Sequence, residues 1–308
     1  CLFGENSVQA FDVQTDSFKC NSPPNSDSQK VSLRISLNGI DYGNHGKEFV
    51  YDKNVSATSL IPNQGTENGG TLVRVLGKGF KPYPEIKCLF GTEKVPGVFV
   101  NTTEIRCVSP EHPNSSVELK FTLNNQNYYS AGNFQFRPIE QITLVEPQQG
   151  PTSGNTKVLI ETSYFHSPKG FCKFGKQIVE LFTEGSNKYC LSPPGSGTVD
   201  LYVSSNSQDF ESSVKFTYYT NPKVTVVEPK LVTNQAKNRE FTVYGENFQE
   251  GKIKARIGDT VYDADIQEGN IVFSISEALS VGKHQVRISL NNQNYGNEGV
   301  YIEVVEPP

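Results

Sequence analysis

One stretch occurs four times in this chain, and its recurrence limits what the chain can fold into. Residues 286–296 read V-R-I-S-L-N-N-Q-N-Y-G. Residues 33–43 read L-R-I-S-L-N-G-I-D-Y-G, residues 119–129 read L-K-F-T-L-N-N-Q-N-Y-Y, and residues 201–210 hold a worn copy, L-Y-V-S-S-N-S-Q-D-F. The closing aromatics Tyr42, Tyr128, Phe210 and Tyr295 lie 86, 82 and 85 positions apart. A fixed period of that length marks a tandem array of similar units, not one large domain.

Within each copy apolar and polar residues alternate, as Leu33, Ile35 and Leu37 do around Arg34 and Ser36, so the apolar set falls on one face of an extended chain. The Asn/Gly/Gln cluster that follows tolerates positive φ and bonds its own backbone, so it reverses the chain into a second strand ending near residues 49–51 or 134–136. Each unit therefore closes on a hairpin. A chain of 308 residues with this period holds three to four small domains, each with one modest core.

The formal net charge is −5 and the 28 Lys and Arg are dispersed, which argues against nucleic acid as a partner. No apolar run approaches the roughly 18 residues needed to span a bilayer, and no signal-peptide pattern occurs, so no membrane contact is expected within this segment. Cys1-Leu2-Phe3-Gly4 repeats Cys88-Leu89-Phe90-Gly91, and Val305-Glu306-Pro307 repeats Val145-Glu146-Pro147 and Val227-Glu228-Pro229. The expected boundaries are therefore 1–52 for the back part of a first unit, 53–137, 138–220 and 221–303 for complete units, and 304–308 for the start of another. A longer parent protein is implied.

The six cysteines fall as pairs, Cys1 with Cys20, Cys88 with Cys107 and Cys172 with Cys190, separated by 19, 19 and 18 positions. In the fourth unit the matching positions hold Ala255 and Phe273, so both cysteines are missing together, as bonded partners would be. Three disulfides are expected, each closing a loop worth about 3 kcal/mol in the chain-entropy model. Persistent disulfides point to an oxidising compartment, extracellular or at the cell surface. A zinc site or a thiol-exchange pair would normally use a close C-x-x-C, which is absent.

The second unit carries the fullest motif set. An Ile61-Pro62 opening precedes Gly65 to Thr71 (G-T-E-N-G-G-T), then Gly77-Lys78-Gly79-Phe80, Cys88-Leu89-Phe90-Gly91, Ile105-Arg106-Cys107-Val108-Ser109-Pro110, and the Asn124-to-Tyr128 hairpin. This ordered set resembles the IPT/TIG family, immunoglobulin-like domains shared by plexins, related receptors and some transcription factors, and the resemblance covers essentially the whole chain. It implies an all-β fold of tandem immunoglobulin-like (IPT/TIG, E-set type) β-sandwiches, each of about seven strands with the disulfide joining strands in mid-domain. An antibody-type domain fits less well, because its cysteines are far apart and pack on a Trp that this chain lacks.

The third unit replaces G-x-G-F by Tyr164-Phe165 after Thr162-Ser163, so its turn must be built differently. The fourth keeps Gly245-Glu246-Asn247-Phe248 but lacks the glycine turn and the disulfide, and is expected to be the least stable unless its neighbours brace it. Arg137-Pro138-Ile139 and Asn221-Pro222-Lys223 join the units with no Gly/Ser tract, which argues for an elongated, semi-rigid rod.

Little points to chemistry. His45, His112, His166 and His284 sit at unrelated places in their repeats, and no repeated Ser, Cys or Asp accompanies them, so no catalytic residues are assigned. No phosphate-cradling glycine loop occurs, and no cofactor is implied. Asp259, Asp263, Asp265 and Glu268 form the densest acidic cluster, but without calcium-loop spacing; a solvated edge is the expectation and no metal site is assigned. Asn54, Asn101 and Asn114 open glycan sequons, making N-linked glycans expected partners. The repeated aromatics Phe80, Phe90, Tyr128 and Phe136 are expected in the core.

Contact is instead expected at the variable hairpin tips: Gly39, Ile40 and Asp41; Asn125, Gln126 and Asn127; Ser207, Gln208 and Asp209; Asn292, Gln293 and Asn294. The expected function is an extracellular surface protein whose tandem domains form a rigid stalk and protein-binding array for adhesion or recognition, with no reaction catalysed. The alternative is a structural subunit of an extracellular filament or coat, in which the domains pack on copies of themselves through unpaired edge strands.

Overall fold

Alternation becomes structure most plainly in the second repeat. The strands Leu72–Lys78, Lys87–Phe90 and Glu104–Val108 turn Val73, Val75, Cys88, Phe90, Ile105 and Cys107 inward at period two, and all six are buried. In the computed structural model, which describes residues 1–25, 29–52, 55–165, 167, 169–235, 238–296 and 300–307, the hydrogen-bonded strand order of this repeat begins Ser56–Ile61, Leu72–Lys78, Glu104–Val108, Glu93–Asn101. It continues Lys87–Phe90, Ser116–Thr122, Tyr128–Arg137, Gln64–Thr66. All neighbours are antiparallel except the last pair, where Gln64–Thr66 runs parallel to Tyr128–Arg137.

Glu93–Asn101 converts this ladder into two layers. Its residues 93–96 pair with Lys87–Phe90, and from Gly97 onward it pairs with Glu104–Val108. Sharing one strand, the two sheets close face to face over Phe80, Phe90, Phe121, Phe134 and Phe136. The third and fourth repeats have the same order, with Gln177–Glu184 and Thr260–Gln267 as shared strands. The first repeat contributes a four-stranded sheet, in order Asn6–Ser7, Leu2–Phe3, Lys30–Arg34, Lys47–Val50. The fold is all-β, a tandem series of immunoglobulin-like sandwiches, and among the described residues every regular element is a strand. The chain divides into two compact units, Cys1–Arg137 and Pro138–Pro308.

Disulfides join Cys1 to Cys20, Cys88 to Cys107 and Cys172 to Cys190. In the second and third repeats each bond spans the two strands that flank the shared strand, and so pins one sheet to the other. The fourth repeat fills that position with a ring. Ala255 is fully buried, and Phe273 stacks on Phe241 at 5.2 Å and 11° and on Tyr262 at 6.0 Å.

Three expectations need correction. Leu37 does not reach a core: it is 95% exposed, whereas its counterparts Leu123 and Leu290 are 4% and 0% exposed. Among the described residues, the first repeat forms this one four-stranded sheet. Residues 304 and 305 do not begin a further domain, because Val300–Val305 is the last strand of the fourth sandwich and Val304 lies in its core. Tyr128 is only partly buried, with Lys94 Nζ 5.4 Å from its ring centre. The cation lies over the face, where the ring is electron-rich. The turn that the fourth repeat keeps is left-handed in both repeats: Gly79 takes φ +77° and Asn247, its counterpart, φ +63°.

Phe273→Ala empties a stacked, buried site and should cost the fourth repeat about 3–5 kcal/mol. Hydrogen exchange within Asn270–Ile275 measures it; protection equal to wild type would show that the ring does not hold the two sheets together.

Candidate functional site: the hairpin tips

At each closing hairpin the chain leaves the ladder, and the N–H groups at the reversal need acceptors. An asparagine supplies them in all four repeats. Asn38 Oδ1 accepts from the N–H of Ile40 at 3.0 Å and of Asp41 at 2.9 Å, while its Nδ2 donates to the Asp41 carboxylate at 2.8 Å. Asn124 does the same with Gln126, Asn127 and the Asn127 carboxamide at 3.1, 2.9 and 2.9 Å. Asn206 bonds Gln208, Asp209 and the Asp209 carboxylate at 3.0, 3.0 and 2.6 Å, and Asn291 bonds Gln293, Asn294 and the Asn294 carboxamide at 3.1, 2.9 and 2.8 Å.

A hydroxyl two positions earlier donates to the same oxygen, from Ser36, Thr122, Ser204 and Ser289. The residue after each Asn takes positive φ: Gly39, Asn125, Ser207 and Asn292. Ser/Thr-x-Asn-x-x-Asp/Asn is thus a clasp, legible in the sequence as a fourfold spacing though not singled out there. It divides the expected contact residues. The first residue of each tip serves the turn through its backbone and the third through its side chain, while no clasp bond uses the side chain of Ile40, Gln126 or Gln293.

A cation over the closing aromatic ties the tip to its sheet. Lys173 Nζ lies 4.4 Å from the Phe210 ring centre and the Arg256 guanidinium 4.4 Å from that of Tyr295. The second repeat has Leu89 at that position, and Lys94, its cross-strand partner, stands over Tyr128 instead.

The fourth tip shows what such a tip can do. Gln293 grips the backbone of Lys157 in the third repeat, its Oε1 accepting from the N–H at 3.1 Å and its Nε2 donating to the carbonyl at 2.8 Å. Asn294 Oδ1 accepts from the Thr156 hydroxyl at 2.8 Å, and Asn291 Nδ2 donates to the Gln149 carbonyl at 3.1 Å. Gln149 reciprocates, donating to the carbonyls of Leu290 and Glu250 at 3.0 and 3.1 Å. An ion pair between Lys252 and Glu146 closes the joint beside a cleft of ≈ 830 Å³. The fourth repeat is braced by its neighbour through these bonds, and its tip is occupied in cis.

The first two repeats meet at Asp52, which accepts from the Tyr83 hydroxyl at 2.7 Å and pairs with Lys81. Burial first, and then the Asp52 carboxylate, push the Tyr83 hydroxyl up to about 12. Ile40 is 81% exposed, and Asn125, Gln126 and Asn127 are exposed.

The other sequence candidates do not converge on a site. Asn101 is exposed, and its Oδ1 accepts from both the N–H and the hydroxyl of Thr103, its own sequon residue. Asn114 is exposed; Asn54 and His166 lie outside the described residues. Asp263 is paired with Lys254, and among the described residues no group of three or more His, Cys, Asp or Glu is placed to hold a metal ion. Among them too, no helix is long and apolar enough to cross a membrane.

A cluster that the sequence reading missed lies on the outer face of the second repeat. Arg74 donates to both Glu104 oxygens, at 3.0 and 2.8 Å, and Arg106 to one at 2.6 Å. Those hydrogen bonds, from Arg74 and then Arg106, hold the nearly buried carboxyl at about 2, well below its usual range.

The family model for the IPT/TIG domain matches residues 56–137 and 141–218. Plexin-A2 of Mus musculus is 26% identical over 217 residues, covering 63% of this chain and 12% of that protein. Fibrocystin-L of Homo sapiens is 22% identical over 284 residues, covering 88% of this chain and 7% of that protein. Among solved structures, the full extracellular region of plexin A4 aligns with a TM-score of 0.42 and 18% identity, over 78% of this chain and 23% of that one. This chain spans a small part of the length of each.

Two outcomes follow from the geometry. Gln293→Ala removes both bonds to the Lys157 backbone, at a cost of about 1–3 kcal/mol at the joint, so the Lys157 amide should exchange faster in the variant; an unchanged rate would mean the clamp carries nothing. The stabilising effect of Glu104 is fully present above its ordinary value near 4.5 and is lost as pH falls toward about 2. The difference in urea midpoint between wild type and Glu104→Gln should be constant near neutrality and shrink below about pH 4.5; a difference that does not vary with pH would contradict that account.

Proposed function

The chain belongs to the IPT/TIG domain family, and from that premise we propose that it is a protein-binding array within a multi-domain, receptor-like protein, working in adhesion or recognition. The location is extracellular or at the cell surface, as the three disulfides and the family together indicate. The mechanism is contact through hairpin tips and sheet faces, with no reaction catalysed and no cofactor used. One observation carries this reading: the fourth tip already recognises protein, holding a backbone N–H and carbonyl of its neighbour through a single carboxamide. The same clasp presents Ile40 and Gln126 outward in the first and second repeats.

Rigid tips favour recognition because the turn is ordered before contact, so little further entropy is lost on binding. N-linked glycans on Asn101 and Asn114 belong to the same proposal, since both sequons are exposed and the Asn101 amide nitrogen is not used in the turn that its oxygen makes with Thr103.

The test is binding of the purified, dimerised segment to intact cells. Ile40→Asp and Gln126→Arg together should weaken binding by about tenfold, as loss of a central contact does. Binding that both changes leave untouched, or none to any cell type, would remove the tips from function. Release of mass by peptide-N-glycosidase from secreted protein, lost in Asn101→Gln with Asn114→Gln, tests the glycans.

A further inference from the structure

Equivalent outer faces of the second and fourth repeats carry opposite charge. In the second, a cross-strand row runs Ile61, Arg74, Arg106, Val98. Like charges sit directly opposite in Arg74 and Arg106, an arrangement unfavourable in itself and relieved here by one shared carboxylate, Glu104. Two guanidiniums against one carboxylate leave a net positive charge, and both arginine side chains stay about two-fifths exposed, 42% and 41%. Exposed apolar residues surround them, Val98 at 61% exposure with Ile61, Val100 and Val108. Arginine ringed by exposed aliphatic groups is the composition of an interface centre.

The structurally matching row of the fourth repeat runs Glu228, Thr242, Val272, Asp265. Glu240, opposite Ser274, lies one step along the same face. Glu228, Glu240 and Asp265 are exposed, and a depression of ≈ 480 Å³ is lined by Glu240 and Asp265 together with Val261, Asp263 and Val272. Along this row Glu228 and Asp265 stand at the places of Ile61 and Val98, and Thr242 and Val272 at the places of Arg74 and Arg106, so a second copy would offer the arginines carboxylates on the equivalent face, with Val272 as an apolar contact for Val98.

We propose that the Arg74–Arg106 face of the second repeat docks on the Glu240–Asp265 face of the fourth repeat of another copy of this chain. Backbone geometry suits the pairing, since both faces are outer surfaces of the same sheet in the same fold and have the same strand spacing. Association would be salt-sensitive, because the opposed charges lie at solvent-exposed positions. The proposal is independent of the tip reading, as no tip residue belongs to either face.

Sedimentation equilibrium of the whole chain tests it. Wild type should associate reversibly, with the dissociation constant rising about tenfold between roughly 50 and 500 mM salt. Glu240→Lys with Asp265→Lys should abolish association, as should Val98→Glu alone, and mixing the two variants should restore it, because one retains the arginine face and the other the acidic face. All three substituted residues are exposed, so each variant should keep the wild-type melting profile. A wild type that stays monomeric, a variant that associates like wild type, or a mixture that stays monomeric overturns the proposal. If wild type is monomeric and Val98→Glu loses binding to heparin, the face belongs to a polyanion and the proposal likewise fails.

Discussion

A chain reversing between strands must give its N–H groups an acceptor, and in this protein a carboxamide meets that demand at every closing hairpin. Asn38, Asn124, Asn206 and Asn291 each take two backbone donors on one oxygen and tie the far side of the turn with their own nitrogen. The rest of the hairpin depends on it. With the turn fixed, the flanking residues fall into register, so that Leu119 and Phe121, or Val286 and Ile288, face the core together. The joint between the third and fourth repeats inherits the same rigidity. A glutamine on a floppy loop would lose entropy on gripping Lys157; on a clasped tip it starts nearly in place.

The sandwiches lock their two layers by two different means. In the second and third repeats a disulfide spans the shared strand; in the fourth, Phe273 stacks on Phe241 and on Tyr262. Cross-linking a loop of this length and burying a large ring each contribute on the order of 3 kcal/mol, the first mainly by restricting the unfolded chain and the second by apolar burial in the folded one. The fourth repeat also gains the bonds of the joint, so the loss of its cysteines is offset locally and by its neighbour.

Outward-facing strand positions are where the repeats diverge. On the matching face the second repeat presents arginines around a buried carboxylate, the third stacks Phe182 on Tyr189 with Lys157 above the tyrosine ring, and the fourth presents acids. The alternating pattern requires only that these residues stay out of the core, so they are available to distinguish one repeat from another.

The sequence by itself determined the repeat, the strands and the cysteine pairs, because period-two burial, turn-forming residues and spacing are local or recurrent properties that one chain displays directly. It left the clasp half visible: the Asn spacing was there, but that Asn38 and Asp41 meet each other depends on the left-handed residue between them. Only the tertiary structure decided that Gln293 binds the third repeat while Gln126 stays exposed, that Val304 closes the fourth sandwich, and that Arg74, Glu104 and Arg106 share one face. Those relations join residues far apart in the chain, set by which strand lies beside which, and no local pattern encodes that order.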